Sequence, residues 1–373
     1  MLHDSMKTAI LSPDYLTQYR YPLLAAIYNN LQNLGYSIKV VAPMSTINNL
    51  SFYCPDSRIL KSVINSTPVF FSKFYIISSR LLFSFFQYKP NFLLLWGEIN
   101  RLDTWFFLLL KLLVNPRLHI VLWTHGIYGR ENIIVLKLRL LLAKLSSHVF
   151  LYDYRALNFY LKHGFDASKF SVIGNLIPGI EKFKPLKRSQ DMSSLNLLYV
   201  GRLSLKKKFH ILFDTLKSST LPFHIHLTVI SPDYPSSFTY CLGDHTVSCH
   251  PALYDFSQLS VYFTKSHFCI CPDNVGLFCL SSLKAGIPFI SHLNYPFHGP
   301  EACSLNINNT IEVPYPVTKQ SLLVALTRAF SSLHSTTFSD PDTISSSIPA
   351  HFTSLSFCQS VIADYFRHHC SDL

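Results

Sequence analysis

Short apolar runs alternate with longer stretches of helical periodicity through the first half of the chain. Residues 8–11 (Thr-Ala-Ile-Leu) predict a strand, 21–34 a helix and 38–41 a second strand. The rhythm continues with strands at 92–96, 119–123 and 148–152, separated by a helical stretch ending at Val114 and a helix at 133–145. This alternation specifies a parallel sheet flanked by helices, a doubly wound α/β domain.

A polar, basic stretch between Pro178 and Leu195 breaks the pattern. It carries Lys182, Lys184, Lys187 and Arg188 and then Ser189, Gln190, Asp191, Ser193 and Ser194, and it marks a domain linker. A second α/β series opens at 195–200 and continues with strands at 224–230, 267–271 and 288–291. Residues 331–349, rich in Ser, Thr, Asp and Pro, are expected to form a loose connector, and 352–368 a terminal helix. The expected domains are thus 1–180 and 181–350, with a terminal segment 351–373 packing back toward the first.

The length of 373 residues suits two domains of roughly 100–200 residues each. With 49% hydrophobic and 14% charged residues, the chain is too apolar to be disordered. The most membrane-like run, 105–114, is about half of what spans a bilayer. Asp103, Lys111 and Arg117 interrupt or flank it, so a buried helix is expected there. Residues 1–7 lack the pattern of a secretion signal, and a cytoplasmic setting is expected, extended to the inner face of a membrane.

Nine cysteines include no C-x-x-C pair, and Cys269 and Cys271 alternate along a strand as packed thiols. Seventeen histidines show no metal-binding spacing, so no metal site is expected. A formal charge of +11 calls for an anionic partner: a nucleotide diphosphate, an acidic lipid surface or nucleic acid.

Two segments of the second half carry chemistry. Tyr199-Val200-Gly201-Arg202-Leu203-Ser204-Leu205-Lys206-Lys207-Lys208 leaves a strand through a glycine and enters a helix over 209–216. Arg202 and one lysine can then meet over the crevice at the strand's C-terminal end. A guanidinium fork and an ammonium charge suit a diphosphate that gains negative charge as it leaves. Cys271-Pro272-Asp273-Asn274-Val275-Gly276-Leu277 begins the second segment, which runs through a short helix at 278–284 to Ala285-Gly286-Ile287-Pro288. Gly276 would let backbone approach a ligand, and the adjoining helix start would turn N–H groups toward phosphate.

In this order, the two segments resemble the family-4-like retaining glycosyltransferases of the GT-B fold. Their pattern is G-R-L followed closely by lysine, then P-x-x-x-G-L and a helix ending in G-x-P. The chain resembles in particular a subset from polysaccharide and lipopolysaccharide pathways, through Pro272, Asn274, Val275, Gly276, Leu277, Ser282, Leu283, Gly286, Pro288, Ile290 and His292. The resemblance implies an α/β GT-B architecture, two Rossmann-like domains facing each other across a cleft with the donor held in the second. It implies that Arg202 and Lys207 bind the donor diphosphate, with Lys206 and Lys208 as alternatives to Lys207. The loop of Asp273, Asn274, Val275, Gly276 and Leu277 would close on the phosphates or the donor sugar.

The broader family carries two glutamates separated by seven residues, where this chain has Asp273 and Ser281. The second glutamate holds the nucleotide ribose. Glu301, in His298-Gly299-Pro300-Glu301, matches an M-P-E element of the subset and is a candidate to take over ribose or acceptor binding, the alternative being an exposed loop carboxylate.

In the first half, Trp123-Thr124-His125-Gly126-Ile127-Tyr128-Gly129-Arg130-Glu131 resembles the subset's W-G-H-G-x-Y-G-x-E, with Thr124 in place of the first glycine. His125 would hydrogen-bond the donor sugar or handle an acceptor proton, and Glu131 would serve acceptor binding. Arg20 closes the loop after the first strand and is the candidate for an anionic acceptor, against helix capping or surface charge.

The resemblance therefore implies transfer of a hexose from a UDP- or GDP-sugar to a glycan or lipid-linked acceptor, with retained anomeric configuration. No metal or other cofactor is needed if Arg202 and Lys207 offset the diphosphate charge. Two rivals share the architecture: a sugar-nucleotide epimerase, and a degenerate binding protein, which Asp273 and Ser281 favour. Nucleic acid is not expected, because the basic residues lack aromatic interleaving. An anionic membrane surface is a further candidate partner, met by Lys, Arg and aromatic side chains of the first domain.

Overall fold

The computed structural model describes residues 7–44, 53–76, 79–177, 179–187, 191–218, 220–335, 338 and 340–370. The chain divides into two compact units, one ending at Pro178 and rejoined by Ser354–Leu373, the other spanning Gly179–Thr353.

The first unit runs β1 (Thr8–Ser12), α1 (Tyr21–Asn33), β2 (Ser37–Ala42), α2 (Ser57–Ser62), β3 (Val63–Asn65), β4 (Val69–Phe71), β5 (Phe74–Ile76), α3 (Ser79–Tyr88), β6 (Phe92–Trp96), α4 (Leu102–Leu113), β7 (His119–Thr124), α5 (Ile133–Leu145), β8 (His148–Leu151), α6 (Tyr154–Lys162) and β9 (Phe170–Val172). The strand order is β3-β2-β1-β6-β7-β8-β9, with parallel pairing throughout, while β4 and β5 form a separate hairpin. Every residue of β6 is buried, as a central strand covered on both faces requires.

The second unit runs β10 (Ser194–Val200), α7 (Phe209–Ser218), β11 (His224–Ile230), β12 (Phe238–Leu242), β13 (His245–His250), α8 (Phe256–Lys265), β14 (Phe268–Ile270), α9 (Phe278–Lys284), β15 (Phe289–Ser291), β16 (Thr310–Glu312), α10 (Lys319–Ser332), α11 (Pro341–Ser346) and α12 (Ala350–Thr353). Its sheet has the order β12-β13-β11-β10-β14-β15-β16, parallel except for the antiparallel edge strand β12.

The stretch expected to be a loose connector instead yields α11, which packs on α9 with Ile344 and Ile348 buried. Gly286, with φ 74°, stops α9 where a Cβ would strike Pro341. A second correction concerns 105–114. Phe107 and Leu108 are buried, but Phe106, Leu109, Leu112 and Leu113 on the opposite side of α4 are exposed, so the helix is not a buried one. No helix among the described residues is long and apolar enough to cross a membrane.

The last helix, α13 (Leu355–His369), returns to the first unit and packs against α1. Cys358, Ile362, Tyr365 and Phe366 join the core on that face of the sheet, whereas α3, α4, α5 and α6 cover the other. Tyr365 meets the sheet through its hydroxyl, 2.7 Å from Nε2 of His119, and its ring lies 4.4 Å from that of His148. Burial, reinforced by nearby cationic groups, depresses His119 to about 4 and His148 to about 3.

A buried guanidinium fixes the end of β1. Arg101 is fully buried and donates to the Ser12 carbonyl (2.8 Å), the Ser12 hydroxyl (2.7 Å), Asp14 (3.2 Å) and Asp103 (2.8 Å). The Tyr75 hydroxyl adds a 2.6 Å hydrogen bond to Asp14, so the hairpin shares the network. Arg101→Leu leaves two carboxylates without their cation, and urea denaturation is expected to show a loss of about 3–5 kcal/mol. An unchanged midpoint would mean the network is not structural.

The histidines give a pH dependence of definite sign. An unfolded histidine binds its proton near pH 6.5, while the folded sites refuse it until about 4 and 3. The stability they contribute is complete above pH 6.5 and is lost as pH falls toward the folded values. Urea midpoints should drop between pH 6.5 and 5 by up to about 2 kcal/mol per histidine, and His148→Phe should flatten the slope.

Candidate functional site

In the second unit the two sequence segments meet at the C-terminal ends of the neighbouring strands β10 and β14. After β10 the chain turns through Gly201 (φ 146°), and the buried Tyr199 donates its hydroxyl to the Arg202 carbonyl at 2.6 Å. Asp233, beyond β11, accepts from the Leu203 N–H at 2.6 Å. These bonds pin the backbone of a loop whose Arg202 side chain is exposed. Next come two lysines that reach the other loop. Lys207 donates to the Asn274 carbonyl at 2.8 Å, and the Lys208 amine lies 3.3 Å from Asp273. Lys206 is exposed.

Asp273 is the centre of this junction. It is buried and accepts from the Asn274 N–H (2.6 Å) and from Nε2 of His292 (3.0 Å). Burial alone would raise its pKa; the hydrogen bonds from His292 and Asn274, with the nearby positive charge, outweigh it and hold the carboxylate below the usual range. His292 in turn accepts from the Asn294 N–H through Nδ1 (3.2 Å). His298 stacks on it at 4.0 Å, accepts from the Val275 N–H (3.0 Å) and lies 2.9 Å from the His292 carbonyl. A histidine scaffold therefore braces residues 273–275 from behind.

Asp273, His292 and His298 have donor atoms within 4.8 Å of one another, the spacing a metal would need. Their ring nitrogens are already assigned by these hydrogen bonds, however, so a metal would have to displace the bonds that hold the loop. The group fits a scaffold better than a cation site.

Asn274 adopts a left-handed conformation (φ 51°), and Lys208 does the same (φ 52°). The place where a Gly276 Cβ would stand has no protein atom within 4 Å, so backbone there borders open space. Val275 is buried and Leu277 is half-buried at the start of α9. α9 has seven residues, and Cys279 and Leu280 already bond back to Gly276 and Leu277, which leaves fewer free N–H groups at its start than expected. Ser281 lies half-buried on the same helix.

Glu301 is not an exposed loop carboxylate: it is only 4% exposed. Its carboxylate lies against Gly299, where a Cβ would sit 2.6 Å from Oε2 and 3.0 Å from the Val275 carbonyl. The structure thus brings Lys207, residues 273–277 and Glu301 together, with Arg202 on the loop that leads to Lys207 and Ser281 on the helix that follows Leu277.

In the first unit a second cluster occupies the C-terminal ends of β1, β6, β7 and β8. Arg20 is buried, with its guanidinium 4.0 Å above the Trp96 ring, which removes both capping and surface charge as its role. His125 is half-exposed beside the same indole (5.5 Å) and stacks on Tyr152 (4.7 Å). Its Nδ1 lies 3.5 Å from Glu98, which also accepts from Arg139 at 3.1 Å. Burial would raise Glu98, but His125 and Arg139 together hold it below the ordinary carboxylate range.

Glu131 organises its own loop. Its two oxygens accept from the N–H groups of Tyr128 (2.7 Å), Gly129 (2.8 Å) and Arg130 (3.1 Å). Sequence reasoning missed Glu98, Trp96, Arg139 and Tyr152. The signal for Glu98 was a lone carboxylate two residues beyond a wholly apolar strand.

No family model and no curated protein matches this chain. Solved structures do. An apo lipopolysaccharide outer core galactosyltransferase, WaaB, aligns with a TM-score of 0.60 at 15% identity over 97% of this chain and 100% of that one. HepE from Anabaena, solved with UDP-glucose, aligns at 0.59 and 12% identity over 97% and 99%. A UDP-GlcNAc 2-epimerase from Neisseria meningitidis, solved with UDP-GlcNAc, aligns at 0.57 and 14% over 98% and 100%. At such identities the likeness establishes architecture, and the chain has the GT-B fold with two Rossmann-like units.

Proposed function

We propose that this protein is a glycosyltransferase that moves a hexose from a UDP-sugar to a glycan or lipid-linked acceptor, with retained anomeric configuration. The observation that carries the reading is the junction in the second unit, where Lys207 and Lys208 hold the loop of Asp273 and Asn274 beside an exposed Arg202. UDP is favoured over GDP because HepE and the N. meningitidis epimerase were solved with UDP-sugars on this fold.

Each residue has a role that its chemistry supports. Arg202 supplies a planar fork to the diphosphate. Lys207 has three N–H donors, of which the Asn274 carbonyl and the Cys271 sulfur engage two, leaving one for a phosphate oxygen. Glu301 takes the ribose hydroxyls in place of Ser281. In the first unit the ionised Glu98 keeps the proton on Nδ1 of His125, which frees Nε2 for a sugar or acceptor hydroxyl.

Thermal unfolding with UDP and a panel of UDP-sugars tests the donor site, since a ligand that binds only the folded chain raises its stability. Arg202→Ala should weaken the UDP response about ten- to hundred-fold, the loss of hydrogen bonds to a charged group. If no uridine nucleotide stabilises the wild type, the reading fails. Product analysis with UDP-GlcNAc alone separates the epimerase, which would return an altered sugar.

His125→Ala should lower turnover about 10²–10⁴-fold while leaving the UDP response intact. Normal turnover in that variant would remove His125 from the chemistry.

A further inference from the structure

The outer surface of the first unit breaks the usual rule for helices that flank a sheet. Such helices bury one apolar stripe and turn polar residues to water. α4 buries Phe107 and Leu108 against the sheet and also carries an outward stripe of Leu102, Phe106, Leu109 (49% exposed) and Leu113 (76% exposed). These positions follow i, i+4, i+7 and i+11, so they form one line along the helix. The neighbouring helices repeat the pattern, α3 with Phe83 and Phe86 and α5 with Ile134 and Leu141.

The three helices cover the same face of the sheet. The rings of Phe85 and Phe107 meet at 4.9 Å, joining α3 to α4, and α4 packs on α5. The β4–β5 hairpin is fastened to the start of α4 by hydrogen bonds between Tyr75 and Asn100 and between Asn100 and Lys73, and it exposes Phe70, Phe71 and Phe74. These contacts join α3, α4, α5 and the hairpin, each of which exposes large apolar side chains.

Charge selects its partner. From Val63 to Ser147 the only carboxylates are Glu98, Asp103 and Glu131. None is exposed, and each is engaged by Arg101, Arg139 or backbone N–H groups. Lys73, Arg80, Arg130, Lys137 and Lys144 are exposed on the same stretch, and Lys137 and Lys144 fall in the same stripe of α5 as Ile134 and Leu141. An apolar face ringed by cations and free of exposed acids complements an anionic lipid surface. Nucleic acid would match the charge but not the phenylalanines and leucines. At 12 residues, about 18 Å, α4 is too short to cross a bilayer and is suited to lie along it.

We infer that α3, α4, α5 and the β4–β5 hairpin form a docking face for an anionic bilayer, with α4 lying in the interfacial plane. Docking of this face is separate from the transfer reaction and requires no nucleotide.

Co-sedimentation of the full chain with vesicles tests it. The chain should sediment with phosphatidylcholine vesicles containing phosphatidylglycerol, less with phosphatidylcholine alone, and less as salt rises. Leu109→Glu/Leu113→Glu, at two exposed positions, should lose binding to both compositions while keeping the wild-type circular dichroism spectrum. Lys137→Gln/Lys144→Gln should lose only the preference for anionic lipid, about five-fold per charge removed. Failure of the wild type to bind anionic vesicles overturns the proposal, as does undiminished binding by the glutamate variant. A dimer in solution that the glutamate pair dissociates would assign the face to a second copy instead.

Discussion

Both units are governed by the same constraint: a parallel sheet covered on both faces leaves polar chemistry no place except beyond its strand ends. β6 is buried from Phe92 to Trp96, and the first carboxylate after it, Glu98, lies just past the edge. β14 is buried from Phe268 to Ile270, and Asp273 follows at the corresponding place. Because parallel strands all point the same way, loops distant in sequence converge at one edge without contacts of their own to bring them there.

What those loops need is an anchor, and in each unit an anion provides it, buried in Asp273 and half-buried in Glu98. Asp273 and Glu98 share one electrostatic logic. Burial would push each toward the neutral acid, and donated hydrogen bonds with neighbouring cationic groups reverse the outcome. An ionised carboxylate in that position orients several donors at once. Asp273 gathers His292, the Asn274 N–H and Lys208, and Glu98 gathers His125 and Arg139. This changes the meaning of the basic run at 206–208. Part of its charge is used internally, because Lys207 and Lys208 hold the facing loop in place.

The alternation of apolar runs made most of the fold legible, and β6, β11, α5 and α9 fall at the residues the pattern predicts. The short elements between residues 57 and 76 and helix α11 were not legible, because three-residue strands and six-residue helices carry fewer than two periods of their own pattern. Arg20 shows a different limit. A basic residue at a loop end suits an anionic acceptor, a helix cap or plain surface charge equally, and only the fold reveals Trp96 beneath it. α4 shows a third, since a helix with apolar residues on all sides cannot declare which side faces the sheet. The motif residues of the second unit were legible because each segment is a short continuous run of characteristic residues, whereas Glu98 stands alone in the sequence and reaches His125 only through strand order.

Glu301 illustrates how a short turn can bury a carboxylate that its sequence position gives no reason to bury. Ser281 stands on α9 where the resembling family carries a glutamate, and the turn after β15 sets the Glu301 carboxylate against Gly299. Its place depends on Gly299: any side chain there would collide with Oε2 of Glu301 and crowd the Val275 carbonyl. His298, immediately before that glycine, accepts from the Val275 N–H, so the same short turn both braces the loop and presents the acid. A carboxylate 4% exposed bears a desolvation penalty that a solvent-facing loop residue does not. The turn at 298–301 is therefore a specified piece of the junction, built to hold a carboxylate where solvent does not reach it.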